Sequence, residues 1–215
     1  KIVLSINVGA HLSYSISNLI TKQYFRSTAR YLLLFTFLMT IQWISAIPII
    51  EASSELPPDR IELFARIEQL VSPLTLFAQL FLTYFVISYF GISFILIIYG
   101  LLFVIVFLLY GLAPSVGIVV FAQALLRVFE YGFNKPSREI IYSQLKKADR
   151  YKSTVFIDTF VTRFGDLSGS IFMGIGKMAS IGVSFMPMIA IPFAALFSLT
   201  GYKISKSFKD NSKET

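Results

Sequence analysis

The stretch RVFEYGFNKPSREIIYSQLKKADRYKSTVFIDTFVTRFGDLSGS, residues 127–170, decides how the rest of the chain is read. Arg127 and Glu130 close one apolar run, and Asp158, Arg163 and Asp166 interrupt another. Between them lies the most polar segment of the sequence: Asn134, Lys135, Pro136, Ser137, Arg138 and Glu139, then Lys146, Lys147, Asp149, Arg150, Tyr151 and Lys152. A charged side chain at the centre of a membrane helix costs about 2.5–3.5 kcal/mol on the insertion scale, so charges kept there usually have a use. The question is whether the flanking runs are membrane helices.

Composition answers it. The 215 residues are 55% hydrophobic and only 14% charged, against roughly 25% charged in soluble domains, and a soluble domain of this size cannot hide so much apolar surface. The 22 Phe and 11 Tyr suit lipid-facing helices with aromatic belts at the interfaces. The formal charge of +7 is distributed as a topology signal rather than a nucleic-acid surface, and no nucleic-acid partner is expected. Cysteine is absent and His11 is the only histidine, so thiol, zinc and most acid/base constellations are excluded. There is no P-loop, catalytic triad or HExxH run. No enzyme activity, metal or cofactor is expected. The first residue is Lys1 and no signal-peptide pattern precedes the first apolar run; a portion of a longer chain is the expectation.

Hydropathy predicts an all-α, six-transmembrane-helix bundle over residues 30–204. A cytoplasmic lead-in, residues 1–29, is drawn as a weakly amphipathic surface segment. Helices are expected at 30–50, 61–88, 92–110, 116–133, 153–177 and 183–202, about 20 residues sufficing to span a 30 Å core. An acidic, proline-bearing loop fills 51–60 and short turns fall at 89–91, 111–115 and 178–182. The 92–110 helix, with no ionisable side chain but tyrosine, is expected to be the most lipid-exposed. Pro187 and Pro192 are expected to kink the last helix. Lead-in, the 134–152 loop and the 205–215 tail are basic, whereas the 51–60 loop is acidic. By the positive-inside rule both ends and the basic loop face the cytoplasm of a cell-membrane protein. The basic loop is expected to contact anionic lipid headgroups.

Within this scheme Asp158, Arg163 and Asp166 lie roughly 8, 15 and 20 Å along their helix, the last near mid-core. Arg163 and Asp166 are three apart and can neutralise one another. Two readings stay open: a wet cavity in which Arg163 meets an anionic solute, with Asp166 or Asp158 pairing it or binding a coupling cation, or an ion pair that only locks helices together. Gln42 is a further cavity candidate. Glu62 can pair with Arg66, and Arg66 and Glu68 join the candidate pathway. Arg127 and Glu130, three apart on one face, form with Asn134, Arg138 and Glu139 a candidate cytoplasmic gate. Gly165 and Gly169 make a GxxxG pair, continued by Ser170 and Gly174, suited to close helix packing.

The run Glu130, Tyr131, Gly132, Phe133, Asn134, Lys135, Pro136, Ser137, Arg138, Glu139, then Asp149, Arg150, Tyr151, Lys152 and Phe156, Ile157, Asp158, Thr159, with Arg163, Gly165 and Asp166, resembles the major-facilitator proteins related to ATP/ADP translocases. A softer match is Glu62, Leu63, Phe64, Ala65, Arg66, Ile67, Glu68. The resemblance implies the second half of a twelve-helix transporter, rocking against a missing N-terminal half about a midplane site and exchanging a small anionic solute, with nucleotides among the candidates. Phe164 departs from it, standing where the family's Arg-Gly-Gly-Asp has its first glycine; a bulky ring there is expected to narrow a helix contact. The competing expectation is a degenerate, non-transporting membrane protein kept as an interaction partner.

Overall fold

The computed structural model, which describes residues 23–53, 56–143, 154–182 and 185–211, folds the apolar runs into helices, some of which run through prolines such as Pro48, Pro73 and Pro192. In chain order these are α1 (Gln23–Glu51), α2 (Pro57–Phe77), α3 (Thr83–Leu112), α4 (Val116–Phe129), α5 (Lys135–Ser143), α6 (Thr162–Met178) and α7 (Phe185–Asn211). Single π-helical turns at Ala78–Leu82, Glu130–Asn134 and Ile157–Val161 run without a break into α3, α5 and α6. No strand occurs among the described residues.

Among the described residues four stretches are long and apolar enough to cross a membrane: Phe25–Glu51, Pro57–Leu112, Val116–Ser143 and Phe185–Lys206. Pro57–Leu112 holds two of the six expected helices, divided at Gly91, whose φ of 77° and ψ of 164° are not helical. That combination is essentially restricted to glycine. A Cβ at Gly91 would meet nothing within 4 Å, so backbone conformation and not space demands the glycine. Gly91→Ala is expected to lower stability by about 1–3 kcal/mol, read as a lower unfolding midpoint in mixed micelles; an unchanged midpoint would show the break is not held. The α6 region, carrying Arg163, Asp166 and a run of small residues, is less apolar and is not among the four.

Helix ends follow local chemistry. Pro57 and Pro58 open α2, with Asp59 in the first turn, where a missing N–H costs nothing and a negative charge suits the helix dipole. Ser115 caps α4 by accepting from the Ile118 N–H at 3.4 Å.

Packing centres on α1. Tyr31, Leu32, Leu38 and Ile41 are buried on it, and Phe197 of α7 lies 4.4 Å from the Tyr31 ring, with Tyr99 and Phe103 of α3 within 6 Å of Phe197. Small residues let α7 sit directly on α3. A Cβ at Gly201 would fall 2.5 Å from the Leu96 carbonyl oxygen, and Ser198 Oγ donates to the Ile97 carbonyl at 2.7 Å. On the other side of α1, Gly165 and Gly169 of α6 rest against Leu33, Thr36, Phe37 and Thr40.

Several expectations are corrected here. Helix α3 is not the most exposed element: Ile95, Leu96, Tyr99, Phe103, Val106, Phe107 and Tyr110 form a fully buried face, because α7 and α1 both pack on it. A broad exposed apolar surface belongs to α2 and the turn after it, with Leu70, Leu74, Phe77 and Phe81, and continues into the start of α3 at Tyr84 and Phe85. Residues 23–29, drawn as surface lead-in, are part of α1, with Phe25 and Ala29 buried. Residues 205–211, drawn as tail, continue α7. Of the Ser170 and Gly174 extension, both are exposed, and the buried face of α6 continues instead through Met173 and Gly176, the latter against Met186 of α7. Phe164 points away from the seam at 60% exposure and narrows no helix contact. Residues 1–22, including His11, and 144–153, with Lys146, Lys147, Asp149, Arg150, Tyr151 and Lys152, lie outside the described residues.

Candidate functional site

The loop expected to begin at Asn134 is helix as far as Ser143. Pro136 explains how. Inside an α-helix its ring would clash with the carbonyl four residues back and leave it without a donor. That carbonyl belongs to Gly132, within the π-helical turn, and it accepts from Thr83 Oγ1 at 2.5 Å. The neighbouring Tyr131 carbonyl accepts from Gln79 Nε2 at 3.2 Å. Ala78 and Gly132 touch where the two π-helical turns meet, a Cβ on Gly132 falling 3.1 Å from that of Ala78. Widened turns of this kind are common at functional sites. This one keeps the chain helical through a proline by borrowing donors from the start of α3 and the turn before it.

Continuing the helix brings Glu130, Asn134 and Arg138 into one buried network. Glu130 is 6% exposed. Its Oε1 accepts from Arg138 Nη2 at 2.8 Å and its Oε2 from Asn134 Nδ2 at 2.5 Å. Tyr31 of α1 donates to Asn134 Oδ1 at 2.6 Å. The Arg138 guanidinium also lies 5.6 Å from the Phe35 ring centroid, a favourable place for a cation. Both carboxylate oxygens are thereby satisfied, which is what makes a buried charge tolerable. Asp158 sits in the field of Arg138, Glu139 and Lys135, so it belongs to this cluster and not with Arg163.

Above the network, between α1 and α4, opens a cleft of ≈ 350 Å³. Phe35, Met39, Thr40, Gln42 and Trp43 line it from α1, Gln123 and Arg127 from α4, and Glu130 and Tyr131 from the π-helical turn. Gln42 is buried and donates through Nε2 to the Tyr110 hydroxyl at 3.0 Å. Arg127 pairs with Glu68 of α2 across the rim. Thr40 Oγ1 donates to Asp166 Oδ1 at 3.3 Å, and Arg163 Nη1 lies 3.4 Å from Asp166 Oδ2. A second cleft, of ≈ 390 Å³ at the Pro48 and Pro114 ends of α1 and α4, has no charged side chain among its lining residues.

The sequence-derived residues therefore fall into three groups. Gln42, Arg127 and Glu130 line the cleft; Glu68, Asn134, Arg138 and Asp158 support those residues or lie in the field of Arg138; Arg163 and Asp166 form the expected pair on α6, with the arginine side chain 82% exposed and the aspartate turned partly toward Thr40 of α1. Arg66 pairs with Glu62 at 2.6 Å on exposed α2 surface and does not line the cleft. Arg127 and Glu130, set three apart on one face by the sequence, do not pair with each other. Each has a better partner from another turn, because the π-helical turn carries Glu130 inward while Arg127 stays at the rim. Gln123 was missed. A single amide in an apolar helix is an ordinary feature, and its one signal was its position four residues before Arg127 and so on the same face. No group of acidic residues and histidine able to hold a metal occurs among the described residues.

Comparison with protein-family models, with curated proteins and with solved structures returns no match. What stands is a helical protein with, among the described residues, four helical stretches long and apolar enough to cross a membrane, and a cleft between α1 and α4 whose mostly apolar wall carries Gln42, Gln123, Arg127 and Glu130.

Proposed function

We propose that the chain is the C-terminal half of a twelve-helix secondary transporter of the major-facilitator type, moving a small anionic solute by alternating access. The observation that carries this reading is the cleft between α1 and α4. It places Arg127, Gln42 and Gln123 inside a shell of membrane-compatible helices, with its charged floor already neutralised by the Glu130–Arg138 pair. Intramembrane charges gathered round a cavity mark solute and ion pathways. The likeness of residues 130–139 and 156–166 to nucleotide exchange transporters supports the same class, with a nucleotide as one candidate solute. The exposed apolar faces of α2 and α6, with Phe77, Phe81, Phe164 and Ile171, suit lipid and the missing N-terminal half. The basic segment 144–153 suits anionic headgroups on the cytoplasmic side.

The test is counterflow of labelled solutes, phosphorylated and carboxylic, in proteoliposomes made with the full-length protein. Flux of one class is expected, falling at least tenfold with Arg127→Ala while insertion is unchanged. Absence of flux for every solute would leave the other reading, a non-transporting interaction partner.

A further inference from the structure

We infer that Gln123 and Arg127 form a two-donor edge that receives an oxyanion, carboxylate or phosphoryl, and that Glu68 occupies Arg127 until the solute arrives. The inference rests on the transporter reading for its setting, but concerns binding alone.

Gln123 carries the argument. It is 3% exposed, lines the cleft, and its Nε2 has no hydrogen-bond partner among the described residues. A buried donor left unsatisfied is disfavoured, and most such groups in folded proteins are paired. Gln42, the other buried amide of the cleft, shows the contrast, since its Nε2 is held by Tyr110. An amide that is buried but unpartnered, at a cavity wall, is shaped for an acceptor brought from outside. Arg127 stands one turn further along the same face and lines the same cleft. Donors so placed recognise two oxygens of one anionic group better than one donor alone.

Charge accounting then assigns Glu68 its part. Glu130 is the cleft's carboxylate, and Arg138 and Asn134 already occupy both its oxygens. Arg127 is therefore the cation of the cleft wall available to an anion, and Glu68 holds it with a half-exposed carboxylate. Replacing Glu68 by a solute oxyanion leaves Arg127 neutralised before and after, and the carboxylate it releases is half-exposed, so no buried charge is left uncompensated. The exchange also releases α2 from α4 at the rim, while the contact between Ala78 and Gly132 continues to hold them together deeper in.

The experiment measures pyrophosphate and succinate binding to the full-length protein in detergent, with the unfolding midpoint of the empty protein read in parallel. Gln123→Leu, and Gln123→Met as a length-matched control, are expected to raise the empty protein's midpoint by about 2–4 °C, since an unsatisfied donor is removed. Both are expected to weaken oxyanion binding about tenfold or more. Glu68→Gln is expected to tighten it about three- to fivefold by removing the competing carboxylate. Preference for pyrophosphate or succinate separates phosphoryl from carboxylate solutes. Unchanged affinity in both Gln123 variants overturns the inference, as does a wild-type protein that binds neither probe. A protein that binds with this pattern but gives no flux keeps the inference and loses the transport reading.

Discussion

Glu130→Ala is expected to destabilise the protein by about 3–5 kcal/mol, the usual consequence of leaving one member of a buried ion pair without its counter-charge. Arg138 would keep its place 5.6 Å from the Phe35 ring, a contact too weak to replace a carboxylate. Asn134 would lose the acceptor for its Nδ2 while still tied to Tyr31. Arg138→Ala should cost a similar amount by stranding Glu130. The double substitution Glu130→Leu with Arg138→Met should recover most of the loss, because an apolar pair of similar volume often replaces a buried ion pair at no cost. Unfolding in mixed micelles measures all three. A single-substitution loss under about 1 kcal/mol, typical of exposed pairs, would show that water reaches the floor of the cleft.

Gly165→Val is expected to lower stability by about 3 kcal/mol, the upper end of what inserting carbons into a filled space usually costs. A Cβ at that position would stand 2.6 Å from the Leu33 carbonyl oxygen and on top of Thr36 Oγ1. The hydroxyl can rotate away, but the backbone oxygen cannot, so α6 must lift off α1. Lifting it also breaks the hydrogen bond from Thr40 to Asp166. Gly174→Ala is the control on the same helix. Nothing lies within 4 Å of its Cβ position, and replacing an exposed helical glycine by alanine typically gains about 0.5–1 kcal/mol. The two midpoints should therefore move in opposite directions. If both fell together, the close approach of α6 to α1 would not be the cause.

Pro136 shows where reading the chain residue by residue stops. With Lys135, Ser137, Arg138 and Glu139 around it, it signals a loop, and every local propensity agrees. The chain stays helical because Thr83 and Gln79, more than forty residues earlier, supply donors to the carbonyls the proline and its widened turn leave open. Gly165 and Gly169 illustrate the opposite case. Their spacing alone indicated a packed face, and α1 fills it. The break at Gly91 was likewise visible, because glycine is the residue the chain needs where φ turns positive. The charged candidates were half legible. Glu130 stood out as a costly charge at the end of an apolar run, but Arg138 was read as part of the polar loop, spacing set Glu130 beside Arg127, and Arg163 was emphasised. Gln123 carried no signal beyond its register with Arg127.

Composition and hydrophobic run length determined, without any coordinates, that this is a helical protein with segments long and apolar enough to span a membrane. They also singled out the charges whose placement called for an explanation. Which charge meets which was decided only in three dimensions. Partner choice depends on one extra residue in a helical turn, on donors from a distant helix, and on small residues that bring α6 against α1. None of these is a property of a residue and its neighbours in the chain.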